Sequence, residues 1–349
     1  MSFSAHELLH ETLSRRLPDG ARSAVLVVGA GLQHHLRAHA GAAGEDPEWR
    51  AFCDWNGLLA SVAEDFDLPQ VLHLDPTATW EGLVTRRALA VNRPAHDAEE
   101  AALAALCHRL RSPPADASLL ARFGAALRSA SYRDVLSLNF DGTLDLAWAG
   151  HPVDPEVTTS DRHERRVAVV SCLERGPAWA RHWYPHGHVG DPSSVQLGQR
   201  AYGMTVGALE RSRERFKQVE RAWRTAHGVT AWTADAHAAW EVDRRARAPV
   251  AADPSEPRLT WMDLFLLSDL VFVGCSLDRA EVDLWWALHQ RARNVARVRP
   301  TERPRTLVIG TRETFKGNPH LATGVAGVTP VMFEAWDDAW AVLLGRWWR

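Results

Sequence analysis

The chain has 349 residues, 46% of them hydrophobic, so it can bury a large core in one elaborated domain or two smaller ones. Lys and Arg number 40 against 43 Asp and Glu, a net charge of -3, which argues against a dominant nucleic-acid footprint and makes direct nucleic-acid binding an unexpected role. The four cysteines, Cys53, Cys107, Cys172 and Cys275, form no CxxC pair, which removes zinc ribbons and thioredoxin-like motifs.

In chain order, residues 5–17 read as an amphipathic helix ended by Pro18-Asp19-Gly20, with no apolar run of signal-peptide kind. The apolar run Ala24-Val25-Leu26-Val27-Val28 then closes on Gly29-Ala30-Gly31, a buried parallel strand followed by a turn in which backbone approaches a ligand closely. A dehydrogenase fingerprint needs a third glycine three places on, where His34 stands, so GxGxxG fails. Helical periodicity dominates from 49 to 130, with helices expected over 55–65, 79–91, 99–111 and 118–129, separated by prolines. A simple crossover needs far fewer residues, so this block is expected to form a small lobe over the sheet.

Val135-Leu136 is a second buried strand, ending in Ser137-Leu138-Asn139-Phe140-Asp141-Gly142-Thr143-Leu144-Asp145. A strand from 167 to 170 precedes Trp183-Tyr184-Pro185-His186-Gly187-His188-Val189, and 203–226 is helical. The basic residues between 210 and 224 alternate with Glu210, Glu214 and Glu220, the pattern of a solvated helix face. Residues 246–257, rich in Pro and Ala, are expected to be a surface loop or hinge. The last third returns to strands over 269–274, 305–310 and 328–333, with helices over 261–268, 279–294 and 336–347. Strands alternating with helices indicate an α/β fold, a doubly wound parallel sheet of Rossmann-like type. The chain is read as a single domain over 1–349, with helical insertions at about 49–130 and 203–257. No stretch is apolar enough to span a bilayer, and a cytoplasmic location is expected. The sixteen tryptophans read as core anchors or a subunit interface.

Three chemistries compete for the NFDGTLD stretch and its surroundings. It resembles the first motif of the haloacid-dehalogenase-like phosphatases, but Asn139 occupies the nucleophile position, and an amide cannot form an aspartyl-phosphate. His182, His186, His188 and Asp191 invite comparison with the metallo-β-lactamase motif HxHxDH, but Gly190 and Asp191 displace its last two ligands.

The third uses four stretches together: Gly29-Ala30-Gly31, Asn139-Phe140-Asp141, His186-Gly187 and Gly274-Cys275-Ser276-Leu277. In this order they resemble the sirtuin family, and more closely its bacterial NAD-consuming defence branch, across roughly 24–288. Trp55 with Leu58-Leu59, and the stretch 195–202, add to the likeness. Gln33 stands where the family turn usually has Ser, no GIPDFR-like segment follows, and the paired-CxxC zinc module of the deacetylases is missing.

The resemblance implies an NAD+ glycohydrolase releasing nicotinamide and ADP-ribose, with NAD+ as substrate and no metal expected. Asn139 and His186 would be catalytic; Gly29, Ala30, Gly31, Gln33, Asp141, Gly274, Cys275 and Ser276 would hold the nucleotide. Cleaving the nicotinamide–ribose bond passes through an oxocarbenium-like centre with a leaving group that needs no acid. Asn139 suits the water or ribose, and His186 a proton near neutral pH. For Asp141, orienting the ribose and capping the following helix are both open. The family likeness further implies an antiphage role, a homo-oligomer, and control by self-assembly or by a separately encoded ATPase or sensor. A non-catalytic NAD or ADP-ribose-binding module and an NAD-dependent deacylase are the rival readings.

Overall fold

The computed structural model describes residues 4–69, 75–111, 116–157, 169–175, 178–246, 259–277, 281–296 and 303–348. Among these residues eight strands form one sheet in the order β3-β4-β5-β2-β1-β6-β7-β8. The strands are β1 (Val25–Val28), β2 (Asp134–Ser137), β3 (Glu156–Val157), β4 (Val169–Arg175), β5 (Ala178–Trp183), β6 (Leu270–Val273), β7 (Thr306–Thr311) and β8 (Val328–Phe333). From β5 to β8 every pair is parallel, while β3 and β4 join antiparallel at one edge. Taken alone, the six parallel strands follow the doubly wound order 3-2-1-4-5-6, a Rossmann-like α/β fold. The order reverses at β1, between β2 and β6, and ligands of such sheets bind at the carboxyl ends of those strands.

Both faces of the sheet are buried, and all its strands but the short edge strand β3 feed both. Leu26 and Val28 point into one core cluster, Val25 and Val27 into the other. Val271 and Val273 alternate with Leu270 and Phe272 in the same way. The first cluster is closed by α1 (Ala5–Ser14), α2 (Gly31–Ala38), α3 (Pro47–Cys53), α7 (Ala117–Ala130), α8 (Thr143–Ala149) and α15 (Trp336–Leu344). The second is closed by α9 (Gly198–Ala226), α10 (Ala234–Ala246), α11 (Trp261–Leu267) and α12 (Val282–Val295). The short α13 (Arg312–Gly317) and α14 (Pro319–Ala322) carry the chain from β7 to β8.

A third cluster lies under α4 (Trp55–Glu64), α5 (Pro76–Val91) and α6 (Ala95–Leu110), and includes Phe140, Val189, Val195 and Leu197 from the loops at the sheet's edge. Only these three helices of the 49–130 block form the lobe. Helix α7 is the return helix to β2 and packs on α8 and α15. Asp54 and Asp75 cap α4 and α5 with carboxylate bonds to the free N–H groups of the first turn. The segment expected as a loop over 246–257 lies, from 247 on, outside the described residues. Trp80, Trp148, Trp183, Trp240, Trp261 and Trp340 are fully buried, which makes these tryptophans core anchors.

Candidate active site

Two strand ends meet at the switch point with almost no space between them. Gly29 N–H donates to Val273 O at 3.1 Å, and Gly31 N–H to Gly274 O at 2.8 Å. A Cβ on Gly31 would stand 2.5 Å from Gly274 Cα, and one on Gly29 2.5 Å from Gly274 O. Gly274 itself has φ +64, open to glycine without strain. The glycines are therefore needed for the approach of one turn to the other, and the N–H groups of Gly29 and Gly31 are already bonded within the protein. Cys275 is buried behind them, its Sγ 3.3 Å from Val273 O, and burial pushes its thiol well above the usual range. Ser276 is exposed. Leu277, buried, adopts φ 47, a left-handed conformation that costs a branched residue about 1–3 kcal/mol.

The polar centre is a hydrogen-bond chain across β1 and β2. Asn139 Nδ2 donates to Gln33 Oε1 at 2.8 Å, and Gln33 Nε2 donates to Asp141 Oδ2 at 2.8 Å. Asp141 Oδ1 accepts the Thr143 N–H at 2.9 Å, at the start of α8. Burial pushes the Asp141 carboxyl up, against the bonds from Thr143 and Gln33 that favour its charged form. Asp141 thus steadies the helix start and, through Gln33, the Asn139 amide. The arrangement uses one of the two Asn139 Nδ2 hydrogens and leaves its Oδ1 to accept from a hydroxyl or water.

Ala30, Gln33, Asn139 and Asp141 line one cavity, together with Phe140 and, from the helical block, Phe52, Cys53, Trp55, Leu58 and Leu110. Its volume is about 30 Å³. The Trp55 ring lies 5.1 Å from that of Phe140, so the first residue of α4 closes on the strand-end loop.

His186 sits beside this centre. The turn from Tyr184 to Gly187 is closed by Gly187 N–H to Tyr184 O at 3.0 Å, and a side chain at Gly187, φ +88, would overlap the Ser194 backbone. His186 Nδ1 bonds to Leu138 O, the carbonyl before Asn139, at 3.0 Å. Its Nε2 stands 3.3 Å from Asp283 Oδ2 in α12, an ion-pair distance without hydrogen-bond alignment. Burial lowers the imidazole, but Asp283 outweighs it and raises the group to about 9. In this conformation His186 is an imidazolium at neutral pH, not the free base expected from its ordinary titration.

Two of the other histidines face Asp145 instead. His182, in β5, bonds Asp145 Oδ1 through Nδ1 at 2.7 Å, and His188 Nε2 lies 3.6 Å from Oδ2, which also accepts from Ser171 Oγ at 2.5 Å. His188 Nδ1 accepts the Gly190 N–H, and Asp191 caps the short turn at Ser193. Asp145, Asp283 and Phe52 are contributors that the sequence did not single out, and Trp55 was marked there only by the family likeness. Nothing in the order of residues says that Asp283 reaches His186.

No protein-family model matches this chain, and a search of curated proteins finds no similar sequence.

Proposed function

We propose that the protein is a sirtuin-like NAD+ glycohydrolase that cleaves NAD+ to nicotinamide and ADP-ribose, acting as an effector of bacterial antiphage defence. The observation that carries this reading is the Asn139–Gln33–Asp141 chain at the carboxyl ends of β1 and β2, beside the switch point, with His186 tied to the carbonyl preceding Asn139. In the reaction the C–N bond to nicotinamide breaks with its electron pair leaving on the neutral ring, water adds at the ribose carbon, and a base takes the water proton. Asn139 Oδ1 orients the water or ribose hydroxyl; its neutral amide avoids over-stabilising the cationic substrate. His186 takes the proton once its contact with Asp283 loosens.

A cavity of about 30 Å³ is roughly ten- to thirtyfold smaller than the ~300–1,000 Å³ typical of small-molecule sites. Substrate entry on this reading requires α3 and α4 to draw back from Phe140, so the conformation described is an off state. That fits an enzyme switched on by self-assembly or by an ATPase or sensor partner.

Incubating the full chain with NAD+, with and without an acetylated peptide, tests the proposal. Peptide-independent release of nicotinamide is expected, and Asn139→Ala or His186→Ala should abolish it in folded protein. Binding of NAD+ without turnover in every assembly state would favour a nucleotide-reporting module, and peptide-dependent release a deacylase. Full activity in both variants would overturn the site.

A further inference from the structure

We propose that His35, His39 and Asp337 form a binding site for one divalent transition-metal ion, Zn²⁺ by the chemistry of its ligands, pinning the helix that carries Gln33 to the C-terminal helix. His35 lies on α2 and His39, four positions on, is its C-cap residue, so the two face the same side, and Asp337 lies in the first turn of α15. One ligand atom from each of the three lies within 4.8 Å of the others. His39 Nε2 is 3.1 Å and His35 Nδ1 3.8 Å from the same Asp337 Oδ1. Ligands bound at about 2.0–2.1 Å in a tetrahedral zinc site stand about 3.3 Å apart, so the His35–Asp337 pair has about 0.5 Å to close and no pair more than about 1.5 Å.

His35 is buried, its Nδ1 is beyond hydrogen-bond range of the carboxylate, and its Nε2 has no hydrogen-bond partner among the described residues. The rings of Trp340, Trp347 and Trp348 wall it in at 5.4, 5.5 and 5.2 Å. Asp337 is 52% exposed and gives both a path of entry and room for a water as fourth ligand. Two imidazoles and one carboxylate favour Zn²⁺ over Mg²⁺ or Ca²⁺, which take oxygen donors.

Around α2, His35 and His39 lie about 200° and about 240° from Gln33, the far side of the helix from the candidate site. The ion is therefore structural. It fixes the azimuth of α2, and with it Gln33, whatever reaction that residue serves.

The full chain, stripped with a chelator and dialysed, is titrated with ZnCl₂ by calorimetry, with MgCl₂ and CaCl₂ as controls. One equivalent of Zn²⁺ should bind and raise the melting temperature, and Co²⁺ should give the visible bands of a four-coordinate ion. Because His35 is buried among tryptophans, the partly exposed ligands serve as the test. His39→Ala and Asp337→Asn should melt cooperatively yet each bind at least about tenfold more weakly. No zinc binding by the wild type, or one equivalent bound with unchanged affinity in both variants, overturns the site.

Discussion

At His186 three groups set one proton. Burial favours the neutral ring, while Asp283 and the more distant Glu281 favour the imidazolium and prevail, giving a group that titrates near 9. Because the folded value lies above the ordinary ~6.5, the pair's contribution to stability is complete below about pH 6.5 and is lost as pH rises through about 9. Asp283→Asn removes the opposing charge and leaves burial, so the ring should titrate lower by about 1–3 units. Nicotinamide release should then reach its plateau at correspondingly lower pH, and the melting temperature should lose its decline between pH 6.5 and 9. An unshifted pH–rate profile in the folded variant would remove His186 from the proton-transfer step. Asn139 offers a contrast: it is half-buried, and it has no charge to titrate, so its role rests on geometry alone.

On the proposed function, helix α4 covers the site with its first residue. Trp55 packs on Phe140 while Leu58 lines the same cavity. Trp55→Ala should raise nicotinamide release by the unassembled chain severalfold, and adding Asn139→Ala should return it to background; steady-state turnover at fixed oligomeric state measures both. Periodicity and caps made most of this architecture readable in advance. The helices expected over 55–65 and 79–91 are α4 and α5, and the apolar run into Gly29 is β1. The antiparallel edge escaped notice because β3 has only two residues and β5, Ala178–Trp183, mixes Arg181 and His182 with tryptophans, giving neither clean alternation nor an apolar run. The site was half legible. Gln33, Asn139 and Asp141 lie near glycines that mark strand ends, whereas the Asp283 contact and the lid depend on packing between segments 97 and 85 residues apart, which no local pattern encodes.

Across the whole molecule, stability and chemistry occupy opposite ends of the same strand. Asn139 follows the carboxyl end of β2, and Asp134 begins it. There Asp134 Oδ1 accepts from Arg181 Nε at 2.6 Å and Oδ2 from Arg245 Nη2 at 2.7 Å, with Trp183 Nε1 at 3.0 Å. Burial would raise this carboxyl, but Arg181 and Arg245 hold it down to about 2. The stabilisation is present above about pH 3.8 and lost as pH falls through about 2. Asp134→Ala removes the carboxylate that pairs both buried guanidinium groups, leaving Arg245 with Glu241, and should cost about 3–5 kcal/mol, read from urea unfolding. Arg245 lies in the last turn of α10, so the loss should also loosen that turn from the sheet. At the other end, the contact between Gly31 and Gly274 makes two positions 243 residues apart in sequence answer to a single gap. Gly31→Ala alone already forces the turns apart. Once they have parted, Gly274→Ala has less left to disturb than its own left-handed backbone. The two substitutions should therefore fall short of additivity by more than the roughly 0.3–0.5 kcal/mol seen between independent sites, so a chain that has lost one of these glycines tolerates losing the other.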